Sequence, residues 1–291
     1  MNTEIAPRIL EHRFSDGAVN QWRLFLPPGC STVLVWMPAL GVAARHYDHW
    51  ARVWHDRGVG VALVECRGNG ASSLRAGRRQ DFGYREILQL EMPEMMAILR
   101  RTWPDKQWWL GGHSLGGQLA CLYNALDGDF QRLVLVGTGA PWYRCYGSRG
   151  RLYRLLIHLA RGLTRLLGYY PGRRLRFGGN EGKRCVMDWS HSALTGRFII
   201  HGSDVDVEAA MKQARTPIVS VWFEQDELIS RAGWKYLMDK MPEAPRRTRE
   251  MGSPPLQVPA DHFAWMKAPE PVVDALLELD ASLENEVEAC M

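Results

Sequence analysis

Hydrophobic and polar positions divide the chain into short apolar runs separated by longer stretches of helical spacing. Residues 8–17 (RILEHRFSDG) and 20–29 (NQWRLFLPPG) predict two strands joined by a turn at Asp16-Gly17 and closed by Pro27-Pro28-Gly29. Continuous apolar runs at 32–38 (TVLVWMP) and 59–65 (VGVALVE) predict strands buried on both faces. Between them, residues 43–57 read as a helix, with His46, Trp50 and Trp54 at helical spacing. A helix over 84–102, a strand at Trp108–Gly111, a helix over 115–126 and a strand over 131–137 continue the alternation. Strand–helix–strand alternation of this kind predicts a parallel sheet with right-handed crossovers.

The rhythm breaks at Pro141 and resumes with an apolar strand in 216–226 (TPIVSVWFEQD). A helix at 231–241, a short strand near 247–251, a loop and a last helix from about 269 complete the chain. The intervening 141–211 is rich in Arg and Gly and fits no strand of the sheet. It is expected to form a helical cap on a core made of 1–140 and 212–291.

Length and composition add little to this. A chain of 291 residues, 46% hydrophobic and 23% charged, accommodates one large α/β domain with an ordinary core. Charge distribution says more. Between Arg144 and Arg184 stand eleven Lys/Arg and one acid, Glu181, so this segment carries +10 and the total of +4 leaves −6 for the rest. A total of +4 does not by itself call for a nucleic-acid partner. The six cysteines (Cys30, Cys66, Cys121, Cys145, Cys185, Cys290) form no C-x-x-C pair, and a domain of this size needs no disulfide staples. They are expected to be reduced thiols of a cytoplasmic protein. No apolar signal-peptide core stands in MNTEIAPRILEHRFSDG, and no apolar run approaches the ~18 residues of a membrane span.

One stretch carries chemistry: Gly112-His113-Ser114-Leu115-Gly116, a G-x-S-x-G between a predicted strand and a predicted helix. In that context the turn holds the serine in a strained conformation with its Oγ clear of the sheet. Strand and helix then pass so closely that only small residues fit two positions either side, hence Gly112 and Gly116. The N–H of Leu115 at the helix N-terminus can donate to a developing oxyanion, where the helix dipole also favours negative charge.

With these residues the chain resembles the α/β-hydrolase family over nearly its whole length. The resemblance implies a mostly parallel eight-stranded sheet with helices on both faces, and a triad in the chain order serine, acid, histidine. Asp226 stands at the acid position after the strand that follows the cap. His262 stands in the loop after the last strand, the other eight histidines lying on early strands, the first helix, the cap or beside the serine. Ser114 would attack an acyl carbonyl, His262 would move its proton, and Asp226 would fix the imidazole tautomer. Asp226 could instead cap the helix beginning LISRAGW, leaving Glu224 or Glu227 as the carboxylate. The family usually has Gly before the histidine. Here Asp261 could stabilise a charged imidazole or be the acid of a distorted site.

The second oxyanion donor is expected in Met37-Pro38-Ala39-Leu40-Gly41, where the family commonly carries His-Gly-x-x-Gly. Ala39 N–H is the expected donor and Leu40 the second choice, because Pro38 has no N–H. The Pro-Ala-Leu-Gly-Val wording and Arg67-Gly68-Asn69-Gly70-Ala71-Ser72 look most like bacterial relatives of the serine aminopeptidase (S33) and lysophospholipase-like branch. Gly68-x-Gly70-x-x-Ser73 also invites a dinucleotide-binding reading, but its third glycine is missing.

Within the cap, Arg151, Arg154, His158, Arg161 and Arg165 form one stripe of a helix, with Leu152, Leu155, Leu156, Leu159, Leu163 and Leu166 opposite. The expected arrangement docks the leucines on the body and leaves the basic face to solvent. The alternatives are attraction of anionic substrates (acyl-CoA, phospholipid, fatty acid) or weak contact with anionic lipid. Leu40, Trp142 and Tyr143 are expected to line the substrate pocket, with Trp189 another lining residue. The reading as a whole is a serine hydrolase for a small-molecule ester or related acyl bond, with no metal or organic cofactor. Thioesterase, aminopeptidase-like amidase and a non-catalytic binding protein of the same fold stand as alternatives.

Overall fold

A computed structural model describes residues 5–289 of the chain. Cys290 lies outside the described residues. Strands β1 (Arg8–Arg13) and β2 (Val19–Phe25) form the expected antiparallel hairpin. They are followed by β3 (Thr32–Met37), helix α1 (Asp48–Asp56) and β4 (Gly60–Leu63). A continuous helical stretch then runs from α2 (Tyr84–Glu86) through a wider turn at Ile87–Glu91 into α3 (Met92–Thr102). Strand β5 (Gln107–His113), helix α4 (Leu115–Asp127) and β6 (Arg132–Val136) complete the first half.

The insertion comes next. It contains a kinked 3₁₀ stretch at Tyr143–Arg149, the long helix α5 (Gly150–Leu167), strand β7 (Tyr169–Pro171) and the single turn α6 (Gly172–Leu175). Strand β8 (Asn180–Gly182), α7 (Lys183–Thr195) and α8 (Val207–Gln213) follow. Two expectations are corrected here. The insertion is not wholly helical, since β7 and β8 pair antiparallel as a separate two-stranded sheet. Helix α8 straddles the boundary expected at residue 211; its Val207 and Met211 are buried in the core cluster that also takes Leu119 and Leu122 of α4, so it belongs to the body. Strand β9 (Ile218–Phe223), helix α9 (Arg231–Met238), β10 (Arg246–Met251) and α10 (Glu270–Ala289) finish the chain.

The large sheet has eight strands in the order β1-β2-β4-β3-β5-β6-β9-β10. It is antiparallel only at the β1–β2 and β2–β4 pairings. The inner strands read as unbroken apolar runs because helices cover both faces of the sheet. Helices α3 and α4 bury Met92, Met95, Leu119 and Leu122 on one face; α1 and α10 bury Trp50, Trp54, Val272 and Leu276 on the other. The edge strand β10 (RRTREM) is mostly polar, which discourages pairing with another chain. Among the described residues no helix is long and apolar enough to cross a membrane.

Candidate active site

Ser114, Asp226 and His262 follow the C-terminal ends of β5, β9 and β10, so the parallel sheet brings three residues distant in sequence to one edge. Crevices at that edge are where open α/β sheets place their ligands. Ser114 adopts φ 56°, ψ −120°, and only it and Arg176 among the described non-glycine residues have positive φ. Such strain persists only where the surroundings enforce it. Here they do. A Cβ on Gly116 would stand 2.0 Å from the Met37 carbonyl oxygen, and one on Gly112 would stand 2.4 Å from the Gly116 carbonyl carbon.

Gly116→Ala is therefore expected to push α4 off β3 and β5. Backbone atoms cannot swing aside as a flexible side chain would, and overpacking of this kind costs about 1–3 kcal/mol or more. The expected result is a melting temperature lowered by roughly 5 °C or more in thermal unfolding. Gly162→Ala, on α5 with nothing within 4 Å of its Cβ, is expected to leave stability unchanged or raise it. Equal melting temperatures for Gly116→Ala and the unsubstituted protein would contradict this close approach.

His262 and Asp226 are both buried and joined by a 2.7 Å bond between His262 Nδ1 and Asp226 Oδ2. The other carboxylate oxygen, Oδ1, accepts from the N–H groups of Leu228 and Ile229 at 2.9 and 2.8 Å. Asp226 is thus held on both oxygens and does not cap the following helix: α9 begins at Arg231, and its N-cap is Ser230, whose side chain accepts from Gly233 N–H. No bond from Glu224 or Glu227 to His262 is found among the described residues. Asp261 is not the carboxylate bonded to His262: its Oδ1 accepts from the N–H groups of Phe263 and Ala264 at 2.8 and 2.6 Å, so it caps the short turn after His262. Ser114 and His262 line one cavity of about 610 Å³ and are not hydrogen-bonded to each other in this structure. Contacts of this kind often tighten only when substrate is bound.

The oxyanion donors need a correction. Ala39 lines the Ser114 cavity, but its N–H is engaged, donating to Tyr47 Oη at 3.0 Å. Tyr47 Oη in turn lies 2.9 Å from His113 Nδ1, and the bond accepted from Ala39 leaves the phenolic proton for that nitrogen. Burial holds the His113 imidazole well below its ordinary pKa, and the neighbouring His262 adds to the effect. His113 is therefore neutral, and its ring stands 4.7 Å from that of His262. No local pattern singles out Tyr47, which reaches the loop from the position just before α1. With Ala39 engaged, Leu40 and Leu115 are the residues of the two expected donor positions that remain on the cavity wall beside Ser114.

Leu40 and Leu115 border the Ser114 cavity and an adjoining cavity of about 640 Å³, which also share Tyr153, Leu156, Phe177 and Trp189. Trp189 was expected as a lining residue. Trp142 and Tyr143 were too, and the structure corrects both. Trp142 packs on Tyr236 with ring centroids 4.7 Å apart, while Tyr143 turns outward beneath the Arg144 and Arg154 guanidiniums. The kink at Gly147 (φ 54°) turns the chain, so that Tyr146 and Tyr153 line the cavity instead. The second cavity is almost wholly apolar, apart from the buried Glu181 on its wall, whose pKa desolvation raises to about 7.

The Gly68–Ser73 segment has a structural explanation. A Cβ on Gly70 would overlap the buried Glu65 carboxylate, whose oxygens accept from Ala44 and Ala71 N–H at 3.1 Å each.

Residues 31–172 match the model of the family described as Serine aminopeptidase, S33. The fold is shared with an alpha/beta hydrolase, GrgF, from Penicillium sp. sh18 (TM-score 0.64, 15% identity, covering 95% of this chain and all of that one). The chain has the α/β-hydrolase fold. Within it, the matched segment resembles the S33 branch. Two further similar structures are the thioesterase domain from the curacin biosynthetic pathway (TM-score 0.59, 15% identity, 94% of this chain and all of that one) and a structure from work on carboxylesterases of the thaumarchaeon Nitrososphaera gargenis (TM-score 0.59, 15% identity, 96% of this chain and all of that one). At such identity the likeness speaks for the fold. No curated protein matches the sequence.

Proposed function

We propose that this α/β hydrolase cleaves a carboxylic ester with an aliphatic acyl group through an acyl-serine intermediate. The observation that carries this reading is the buried 2.7 Å Asp226–His262 pair opening onto the same cavity as Ser114 in its strained turn. Asp226 fixes the tautomer with Nδ1 protonated and leaves Nε2 free to accept the Ser114 proton. The serine oxygen adds to the acyl carbonyl; the resulting oxyanion meets the N–H of Leu115 and, in place of Ala39, that of Leu40. His262 then returns the proton to the departing alcohol, and water repeats the sequence to release the acid.

The apolar walls support an aliphatic chain as the acyl group. The Ser114 cavity runs past Leu156 and Phe177 into the second, where Leu159, Leu163 and Leu175 continue the lining. Each methylene that leaves water for such a wall contributes about 0.8 kcal/mol at most. Across p-nitrophenyl esters from acetate to octanoate, kcat/KM is expected to rise by up to roughly four-fold per methylene, with a burst of nitrophenol before the steady state. Acetate as the best substrate, or no turnover of any ester in the series, would contradict the reading.

A further inference from the structure

Helix α5 was expected to dock through its leucines. It does not. Its buried residues are Gly150, Ile157 and Thr164, a narrow stripe repeating every two turns. Leu152, Leu155, Leu156, Leu159 and Leu166 leave 60, 54, 51, 59 and 74% of their surface exposed. At about 100° per residue, Leu155 and Leu166 lie about 160–180° around the helix from Ile157 and point away from the body, while Leu152 and Leu159, about 140–160° around, stand at the rim of the cavities. Leu175 and Phe177, 50 and 43% exposed, extend the apolar surface beyond α5. A contiguous exposed apolar surface of this kind marks an interaction site.

The charges around it select the partner. Nine arginines stand between Arg144 and Arg176, and none has a carboxylate within ion-pair distance among the described residues. Arg151 and Arg165 are exposed on α5 beside the leucines, and Arg173, Arg174 and Arg176 flank Leu175 and Phe177. A second copy of this chain set against the same face would bring two unpaired arginine sets together. An acidic protein surface would neutralise the arginines but leave five leucines without an apolar counterpart. A bilayer with anionic headgroups supplies both: an acyl boundary for leucine, and phosphates at the depth that arginine side chains reach.

We propose that the outer face of α5 docks on an anionic lipid bilayer, with Leu155, Leu159 and Leu166 entering the headgroup boundary and the flanking arginines lying among the phosphates. Docking does not depend on catalysis. One consequence does rest on the proposed activity: Leu156 and Leu159 belong both to the exposed face and to the cavity walls, so an acyl chain can pass from bilayer to cavity along a continuous apolar surface.

The test is flotation of the full chain with phosphatidylcholine vesicles, with and without one quarter phosphatidylglycerol. Two variants are compared, Leu155→Gln/Leu166→Gln and Arg151→Gln/Arg165→Gln, neither of which touches a cavity wall. Binding is expected only with the anionic vesicles. It should fall about thirty-fold in the arginine variant, each arginine being worth roughly a factor of five near such a surface. About a ten-fold fall or more is expected in the leucine variant. Both variants should keep the melting temperature and the turnover of a soluble ester. Absence of vesicle binding, or binding indifferent to the leucine replacements, would overturn the proposal. So would a dimer in light scattering that the leucine replacements convert to monomer, which would assign the face to a second copy.

Discussion

Ser114→Ala is expected to lower kcat on a short activated ester by roughly 10⁴–10⁶-fold while leaving the fold intact. Alanine removes the oxygen proposed to form the acyl intermediate, and the neighbouring Thr138 hydroxyl is buried and donates to the Val136 carbonyl. The elbow does not depend on that oxygen: its geometry comes from Gly112 and Gly116 passing Met37 and Pro38, so melting should be unchanged. A residue acting in a chemical unit also shows itself by non-additivity. His262→Ala should cost about as much as Ser114→Ala, and the double variant little more than either one. Costs that multiplied in the double variant would mean that Ser114 and His262 act independently. Kinetics on purified variants, with thermal unfolding alongside, distinguish the two outcomes.

Asp226→Asn is expected to reduce kcat by about 10⁴-fold. The carboxylate Oδ2 that accepts from His262 Nδ1 becomes either an amide oxygen, which accepts more weakly, or an NH₂, which turns the imidazole into the wrong tautomer. In the second case Nε2 carries the proton and cannot take another from Ser114. The network around Asp226 favours this case. Oδ1 accepts two backbone N–H bonds, from Leu228 and Ile229, so the amide oxygen is drawn there and the NH₂ is presented to His262. Asp261→Asn should behave differently. It loosens a cap on the 264–267 turn and should cost stability, about 1 kcal/mol or less, with kcat little altered. A large kcat loss in Asp261→Asn with Asp226→Asn near normal would exchange their assignments.

Much of this architecture could be read from the sequence because its signals are local. Runs such as TVLVWM and RLVLV have few alternatives to a strand covered on both faces, and G-x-S-x-G states its own turn. The errors share a physical origin. Periodicity reports that α5 has an apolar face and a basic stripe, but not which of them meets the body. That is settled by the Gly150–Ile157–Thr164 stripe, too short and mixed to stand out. Trp142 and Tyr143 were misplaced because side-chain direction there depends on the kink at Gly147 and on Tyr236, ninety-odd residues away. Ala39 was the reasonable donor by position in its loop. What redirects its N–H is Tyr47, a tertiary partner that no local pattern announces. Asp226 and His262, by contrast, were picked out by the family resemblance, which sets an acid and a histidine after particular strands, and the fold brings these two within 2.7 Å of each other.

The most direct test of the central claim, that Ser114 is an activated nucleophile, is covalent labelling by a fluorophosphonate probe. The probe reacts with activated serines and needs no knowledge of the substrate. Rapid stoichiometric labelling of the unsubstituted protein is predicted, absent in Ser114→Ala and strongly slowed in Asp226→Asn and His262→Ala. A folded protein that resists the probe, or a Ser114→Ala variant labelled as fast as its parent, would contradict it.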